Sequence, residues 1–239
     1  MAEYIKHATT TLSEVALGNP PSVADYSDNK LTSILNARSA ARIVSEILRD
    51  DELLGEVARR SYTHSNGFDK ITLISSHEPE FKLRLHMWWP KGRDCQIREF
   101  IHNHRWLFRS TVLCGNAYME TFTEKADGYP VYRHVYFPRD DALEKYELRA
   151  VGRSRIASDL MSVLAPGSTY SMGPDLLHRV LWTGDRLSVT MLVRWQSVRP
   201  TATVFSPSEI QDRRLLSVPS FSPGRLRTKL ARIIGELVP

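Results

Sequence analysis

Cysteine is scarce in this chain: 239 residues hold only Cys95 and Cys114. Neither has a Cys-x-x-Cys partner, and two thiols do not make a disulfide scaffold. A reducing cytoplasm is the simplest setting. Long apolar runs are missing too, and none reaches the ~18–20 residues that a membrane span needs. The opening stretch, MAEYIKHATTTLSEVALGNPP, has no apolar segment behind a basic one, so no secretory signal is expected. Internal repeats at a fixed period and low-complexity tracts are absent. A strong excess of one charge is absent as well. Lys and Arg number 32 against 27 Asp and Glu, for a net charge of +5 and a pI of about 9.3. The bases are interleaved with acids, and only the tail from Arg213 to Arg232 is clearly basic. Nucleic acid is therefore not the expected partner. A small anionic molecule, which needs only a few local arginines, fits the charge equally well.

What remains is a globular composition, with 42% apolar and 25% charged residues. The length suits one domain, or one domain with helical additions, and is enough to bury a good core. Residues 1–30 are polar, with Pro20-Pro21 and DYSDN, and read as a loose leader with room for one short helix. From Leu31 to Arg60 the apolar residues Leu31, Ile34, Leu35, Ile43, Val44, Ile47, Leu48, Leu53, Leu54 and Val57 recur at three- and four-residue steps. That spacing predicts amphipathic helix. Asp50-Asp51 divides it in two, with Asp51 as the N-cap.

After Gly67 the texture changes to short runs, many of them alternating: KITLISS, EFKLRLHMWW, QIREFIHNH, FRSTVLCG, AYMETFTE, VYRHVYFP, EKYELRAVG, DLMSVLAPG, STYSM, HRVLWTG and LSVTMLVRW. Gly, Pro, Asn and Asp punctuate them every ~8–12 residues, the pattern of an antiparallel sandwich or barrel. The final stretch ends in GRLRTKLARIIGELV, with helical spacing and a basic face. The expected organisation is a leader with helices over 1–66, a β-barrel over 67–200, and a helical extension over 201–239.

FIHNHRW carries the chemistry. If residues 97–104 form a strand, His102 and His104 share one face, because side chains repeat every two residues. Imidazoles that close together suit Fe, Zn, Cu or Ni. A third ligand is expected from a distant strand across the barrel. His178, in PDLLHRVLW after the Pro166-Gly167 turn, is the residue for it. Glu99 lies an odd number of residues from both histidines, so a regular strand would point it away from the metal. Cys114, inside an apolar run, reads as a small buried hydrophobe, and Cys95, in KGRDCQ, as a loop thiol.

The order of helices, then EFKLRLHMWW, IHNH and later HRV, resembles the cysteine dioxygenase family of thiol dioxygenases over roughly residues 62–196. The resemblance implies a mainly β cupin barrel (a double-stranded β-helix or jelly roll) with N-terminal helices and a C-terminal helix. It also implies Fe(II) held by His102, His104 and His178, with O2 as co-substrate. The usual cupin glutamate would fall at Phe108 or Arg109, so a three-histidine site is expected, which leaves coordination positions open.

Departures from that family change the expected substrate. Arg109 stands where the family often carries a cross-linking cysteine. Thr190, Leu192 and Arg194 replace its Ser-His-Tyr relay. The arginine that holds the substrate carboxylate has no counterpart ahead of EFKLRL, where only His64 and Lys70 appear. Arg109 and Arg194 are the expected catalytic and substrate-binding residues, since a buried guanidinium is satisfied by carboxylate or phosphate. Arg84, His86, Trp106 and Tyr170 are expected to line the pocket.

The sequence therefore points to a non-haem Fe(II) oxygenase acting on a small anionic substrate, an amino acid or carboxylate other than cysteine. Two readings stand beside it: a non-redox sensor or regulatory module that binds metal or ligand, and a metal-dependent isomerase or lyase. At residue level, the plain alternatives are surface histidines at 102 and 104, a core histidine at 178, and Arg109 and Arg194 in ordinary salt bridges with Glu99, Glu120 or Glu124. His86 and His134 read as structural. The oligomeric state is open, a homodimer included.

Overall fold

The computed structural model describes residues 2–18, 29–92, 97–139, 145–182, 184–210 and 218–237. Cys95, Pro20-Pro21, most of DYSDN and the start of the basic tail at Arg213 lie outside the described residues. Four helices lead: α1 (Glu3–Leu17), α2 (Asn29–Ile34), α3 (Ala37–Arg49) and α4 (Asp51–Arg59). The leader is thus more helical than its polarity suggests. Thr9, Thr10 and Thr11 lower helix propensity there, yet Ile5, Ala8, Leu12 and Val15 recur on one buried face. Its free N-terminal amides are capped from outside, since the Tyr4 and Ile5 N–H groups donate to the Glu46 carboxylate of α3 at 2.9 Å each.

Asn36 breaks the predicted 31–60 helix once more than expected, capping α3 by accepting from the Ser39 N–H. The cap of α4 is Asp50, which accepts from the Leu53 N–H at 3.0 Å. Asp51, the expected cap, is the first helical residue. Its carboxylate still suits the positive end of the helix.

Twelve strands follow: β1 (Tyr62–Thr63), β2 (Asp69–His77), β3 (Glu80–Trp88), β4 (Ile97–Arg98), β5 (Ile101–His102), β6 (Trp106–Cys114), β7 (Ala117–Arg139), β8 (Lys145–Leu164), β9 (Thr169–Met172), β10 (Leu177–Trp182), β11 (Ser188–Ser197) and β12 (Ala202–Ser206). A last helix, α5, spans Pro223–Leu237. The strands form two six-stranded antiparallel sheets, ordered β1-β2-β3-β11-β6-β9 and β4-β10-β5-β12-β7-β8. The architecture is mainly β with helices at both ends, as the sequence implied. The sheets extend from Tyr62 to Ser206, slightly beyond both expected borders of the barrel, 67 and 200.

The first sheet separates two environments. Phe81, Leu83, Leu85 and Met87 on β3, with Val189, Met191, Val193 and Trp195 on β11, join α1, α3, α4 and α5 in one core cluster. The alternate residues, Arg84, His86 and Trp88 on β3 and Leu192 on β11, face the barrel interior. The helices are thus a lid on the back of the sheet rather than a separate unit. They cover the outer face of the first sheet, whose inner face walls the interior site.

Candidate metal centre and its cavity

His102 and His104 do converge, but not through a regular strand. Residues 97–104 break into β4 and β5, and His104 lies past the end of β5. Asn103, between the two histidines, is pinned instead to β12. Its N–H donates to the Thr203 carbonyl at 3.1 Å and its Oδ1 accepts the Thr203 N–H at 2.7 Å. His178 comes from β10, which is the direct neighbour of β5 rather than a strand across the barrel, and its Cα partner in the register is His102.

One ligand atom from each of the three histidines lies within 4.8 Å of the others. Ring centroids are separated by 5.0 Å for His102 and His104, 4.7 Å for His102 and His178, and 5.0 Å for His104 and His178. Among the described residues no other group of His, Cys, Asp or Glu has metal-ligand geometry.

The donor set fits a divalent transition metal. The Nδ1 of His102 lies 2.8 Å from the Phe100 carbonyl, and that of His178 lies 3.2 Å from the Leu176 carbonyl. A carbonyl only accepts, so each Nδ1 carries the proton and donates, which leaves each Nε2 lone pair for a metal. Burial pushes all three imidazoles down in pKa, His178 to about 3 and His104 well below the usual range. They are therefore neutral, the state that ligates. Trp106 stacks on His104 at 5.5 Å, and Phe108 meets it edge-on at 5.0 Å, which fixes that ring by packing.

On the outer side of β10, Arg179 forms a buried ion pair with Glu120 of β7 at 2.6 Å and lies over the Phe122 ring. This clamp holds the strand that carries His178.

The histidines border a cavity of about 370 Å³. Its walls are mostly aromatic and aliphatic, including Phe68, Trp88, Trp106, Phe108, Tyr136 and Tyr170. Among the described residues its charged lining is lopsided, with Lys70, Arg84 and Arg105 against one carboxyl, Glu99. Burial raises the Glu99 pKa to about 8, against the pull of the Val180 N–H that donates to it and of Lys70 nearby. Glu99 lines the histidine cavity because the chain leaves strand geometry between Arg98 and Ile101. The odd spacing that would point it away does not hold across that break. Burial likewise lifts the Tyr170 hydroxyl to about 12.

The other expected site residues fall into two groups. Arg84, His86, Trp106 and Tyr170 are on the cavity wall. Arg109 and Arg194 are not among the residues that line it. Arg109 follows the cavity-facing Phe108, so alternation turns it to the face of Leu107 and Leu113, which pack on the helical core. Arg194 is drawn to the end of its strand by an ion pair with Glu80, its guanidinium 5.3 Å from the centre of the Trp106 ring. The carboxylate that Arg194 pairs with is Glu80, rather than Glu99, Glu120 or Glu124.

Of the polar lining, sequence reasoning turns Glu99 away from the metal, notes Lys70 without giving it a role, and does not single out Arg105. Lys70 had a readable signal, since it is a lone basic residue opening the apolar run ITLIS.

No protein-family model matches the chain, and no curated protein matches it. Solved structures that it resembles are cupin-domain proteins and enzymes. The DMSP lyase DddQ from Ruegeria pomeroyi is 14% identical, with a TM-score of 0.34 over 60% of this chain and 54% of that one. The chain thus spans about half the length of that lyase. The CENP-C cupin domain of Drosophila melanogaster is 15% identical, with a TM-score of 0.33 over 63% of this chain and 94% of that one. The hydroquinone 1,2-dioxygenase PnpCD, solved with Cd2+ and 4-hydroxybenzonitrile, is 10% identical, with a TM-score of 0.32 over 53% and 63%. Likenesses this distant carry no activity across, and the chemistry has to be read from the site itself.

Proposed function

We propose that this protein is a mononuclear non-haem Fe(II) oxygenase that uses O2 on a small anionic substrate, an amino acid or carboxylate other than cysteine. The observation that carries the reading is the cluster of three neutral histidines, two with Nε2 freed by a carbonyl at Nδ1, on the wall of a cavity lined by aromatic rings. Fe(II) bound by His102, His104 and His178 would supply O2 activation and leave positions for substrate.

The chain's own residues do the rest. The aromatic walls exclude water and confine the substrate. The cationic lining favours an anion over a neutral molecule. Glu99, held neutral near pH 7, is placed to give or take a proton inside the cavity. The resemblance to thiol dioxygenases supports the ligand set, and the loss of that family's relay and carboxylate arginine argues for another substrate.

A second reading has one observation in its favour. A buried carboxyl whose pKa lies near 8 is the group that non-redox proton abstraction needs, so a metal-dependent lyase or isomerase would use the same cavity with Glu99 as its base. One experiment separates the two. The Fe(II)-loaded protein is screened with small carboxylates while O2 is followed. Uptake that is abolished in His178→Ala supports the oxygenase. Turnover without O2 uptake, abolished in Glu99→Gln, supports the second reading.

A further inference from the structure

We infer that Lys70 and Arg84 form a built anion subsite that binds the carboxylate of the substrate, on the β2–β3 wall of the cavity across from the histidines. This rests on the reading of the cavity as a substrate site and names the group that the substrate must carry.

The two residues come from adjacent strands. Lys70 is the register partner of His86, and Arg84 that of Thr72, so the two cations are diagonal neighbours on the inner face. Both line the cavity, and both are deeply buried, at 8% and 9% exposure. Placing two basic groups side by side in an aromatic enclosure is costly: burial, and then the charge of Arg84, push the Lys70 ammonium well below the usual lysine range, and a protein keeps such a pair only where something offsets the cost.

The chain itself does not offset it at Arg84. Among the described residues Arg84 has no ion pair, and its Nε has no hydrogen-bond partner. Its recorded contact is with the Trp106 ring, whose centre lies 5.9 Å from the guanidinium carbon. Burial, and after it the charge of another cation, Arg194, lower the Arg84 pKa to about 9. Next to it, His86 Nε2 is also buried without a partner. Glu80, the carboxylate on the same strand, is already bonded to Arg194. Among the described residues Glu99 is the one carboxyl of the lining, and burial disfavours its charged form.

An incoming carboxylate would meet these needs together. Its two oxygens match the guanidinium fork of Arg84, and its charge favours the protonated form of Lys70 beside it. The substrate would then span the cavity, with its anionic end on β2 and β3 and the rest between the aromatic rings, toward the histidines on β5 and β10.

The test uses metal-free protein, so that anion binding is read apart from metal chemistry. Benzoate is the probe, with neutral benzamide and inorganic phosphate as comparisons. Thermal melting and calorimetric titration are run on wild type, Arg84→Met, Lys70→Met and His178→Ala. The subsite predicts that benzoate raises the melting temperature of wild type and of His178→Ala alike, and that benzamide does not. It also predicts at least tenfold weaker benzoate binding in each methionine variant. Methionine keeps most of the side-chain volume, and Arg84→Lys provides a further folded variant, predicted to bind more weakly than wild type and more tightly than Arg84→Met.

Benzoate binding that is unchanged in Arg84→Met, lost in His178→Ala, or absent from wild type would overturn the proposal. Phosphate binding more tightly than benzoate would overturn its carboxylate class. If benzoate binds as predicted but the protein takes up no Fe(II) on anaerobic reconstitution, the subsite stands and the oxygenase reading falls.

Discussion

Replacing Glu99 by glutamine isolates the energetics of the buried carboxyl. Glu99 is 6% exposed, and among the described residues its carboxyl accepts one hydrogen bond, a long one of 3.4 Å from the Val180 N–H. Burial lifts its pKa from 4.5 to about 8. Each unit of separation between folded and unfolded pKa is worth about 1.4 kcal/mol, so the ceiling on the pH-dependent effect is on the order of 5 kcal/mol. Local opening and water penetration reduce that to roughly 3 kcal/mol.

The sign follows from the direction of the shift. Because the folded pKa is the higher one, the contribution of the neutral carboxyl is fully present below about pH 4.5. It is lost as the pH rises through about 8. Glutamine has no such dependence. The stability difference between the two proteins should therefore swing toward Glu99→Gln by roughly 3 kcal/mol between pH 5 and pH 9. Urea denaturation of the metal-free forms at half-unit pH steps measures it, since other titrating groups, Lys70 included, are common to both. A difference that stays flat, or that moves toward the wild type as the pH rises, refutes the burial argument.

Other expectations follow from the same geometry. Arg179→Ala leaves the Glu120 carboxylate buried without its partner, which should cost about 3 kcal/mol in denaturant unfolding and also weaken metal retention by loosening β10. Gly115 has φ +67°, and a Cβ there would lie 2.3 Å from the Leu187 carbonyl oxygen, so Gly115→Ala should lose at least about 2 kcal/mol in the same assay. Fe(II) at a hundred times its dissociation constant should stabilise the wild type by about 2.7 kcal/mol, with a rise in melting temperature that His104→Ala lacks.

The division into helices, barrel and helix was legible because hydrophobic period is a local property of sequence. Its errors have local causes too. Asp127-Gly128-Tyr129-Pro130 reads as a turn between AYMETFTE and VYRHVYFP, yet β7 runs unbroken from Ala117 to Arg139. The ladder to β8 absorbs the extra residues as an irregularity between Glu124 and Tyr129. Gly152, at φ +130°, similarly sits inside β8, near the register shift at Arg133/His134, rather than ending a strand.

The histidine cluster was legible from three positions and a resemblance, although strand alternation was the wrong reason for it. Arg109 was misjudged because one residue of register decides which face a side chain takes, and Phe108 holds the inner face. Lys70 was given no role and Glu99 was turned the wrong way because their placement depends on a cross-strand diagonal and on a strand break, neither of which leaves a periodic trace.

Metal content tests the central claim most directly. Wild type, His102→Ala and His178→Ala would be reconstituted anaerobically with Fe(II), desalted, and assayed for bound metal. The account predicts close to one iron per wild-type chain and loss of that iron in both variants, with folding preserved by circular dichroism. Equal and negligible metal in all three proteins would contradict it.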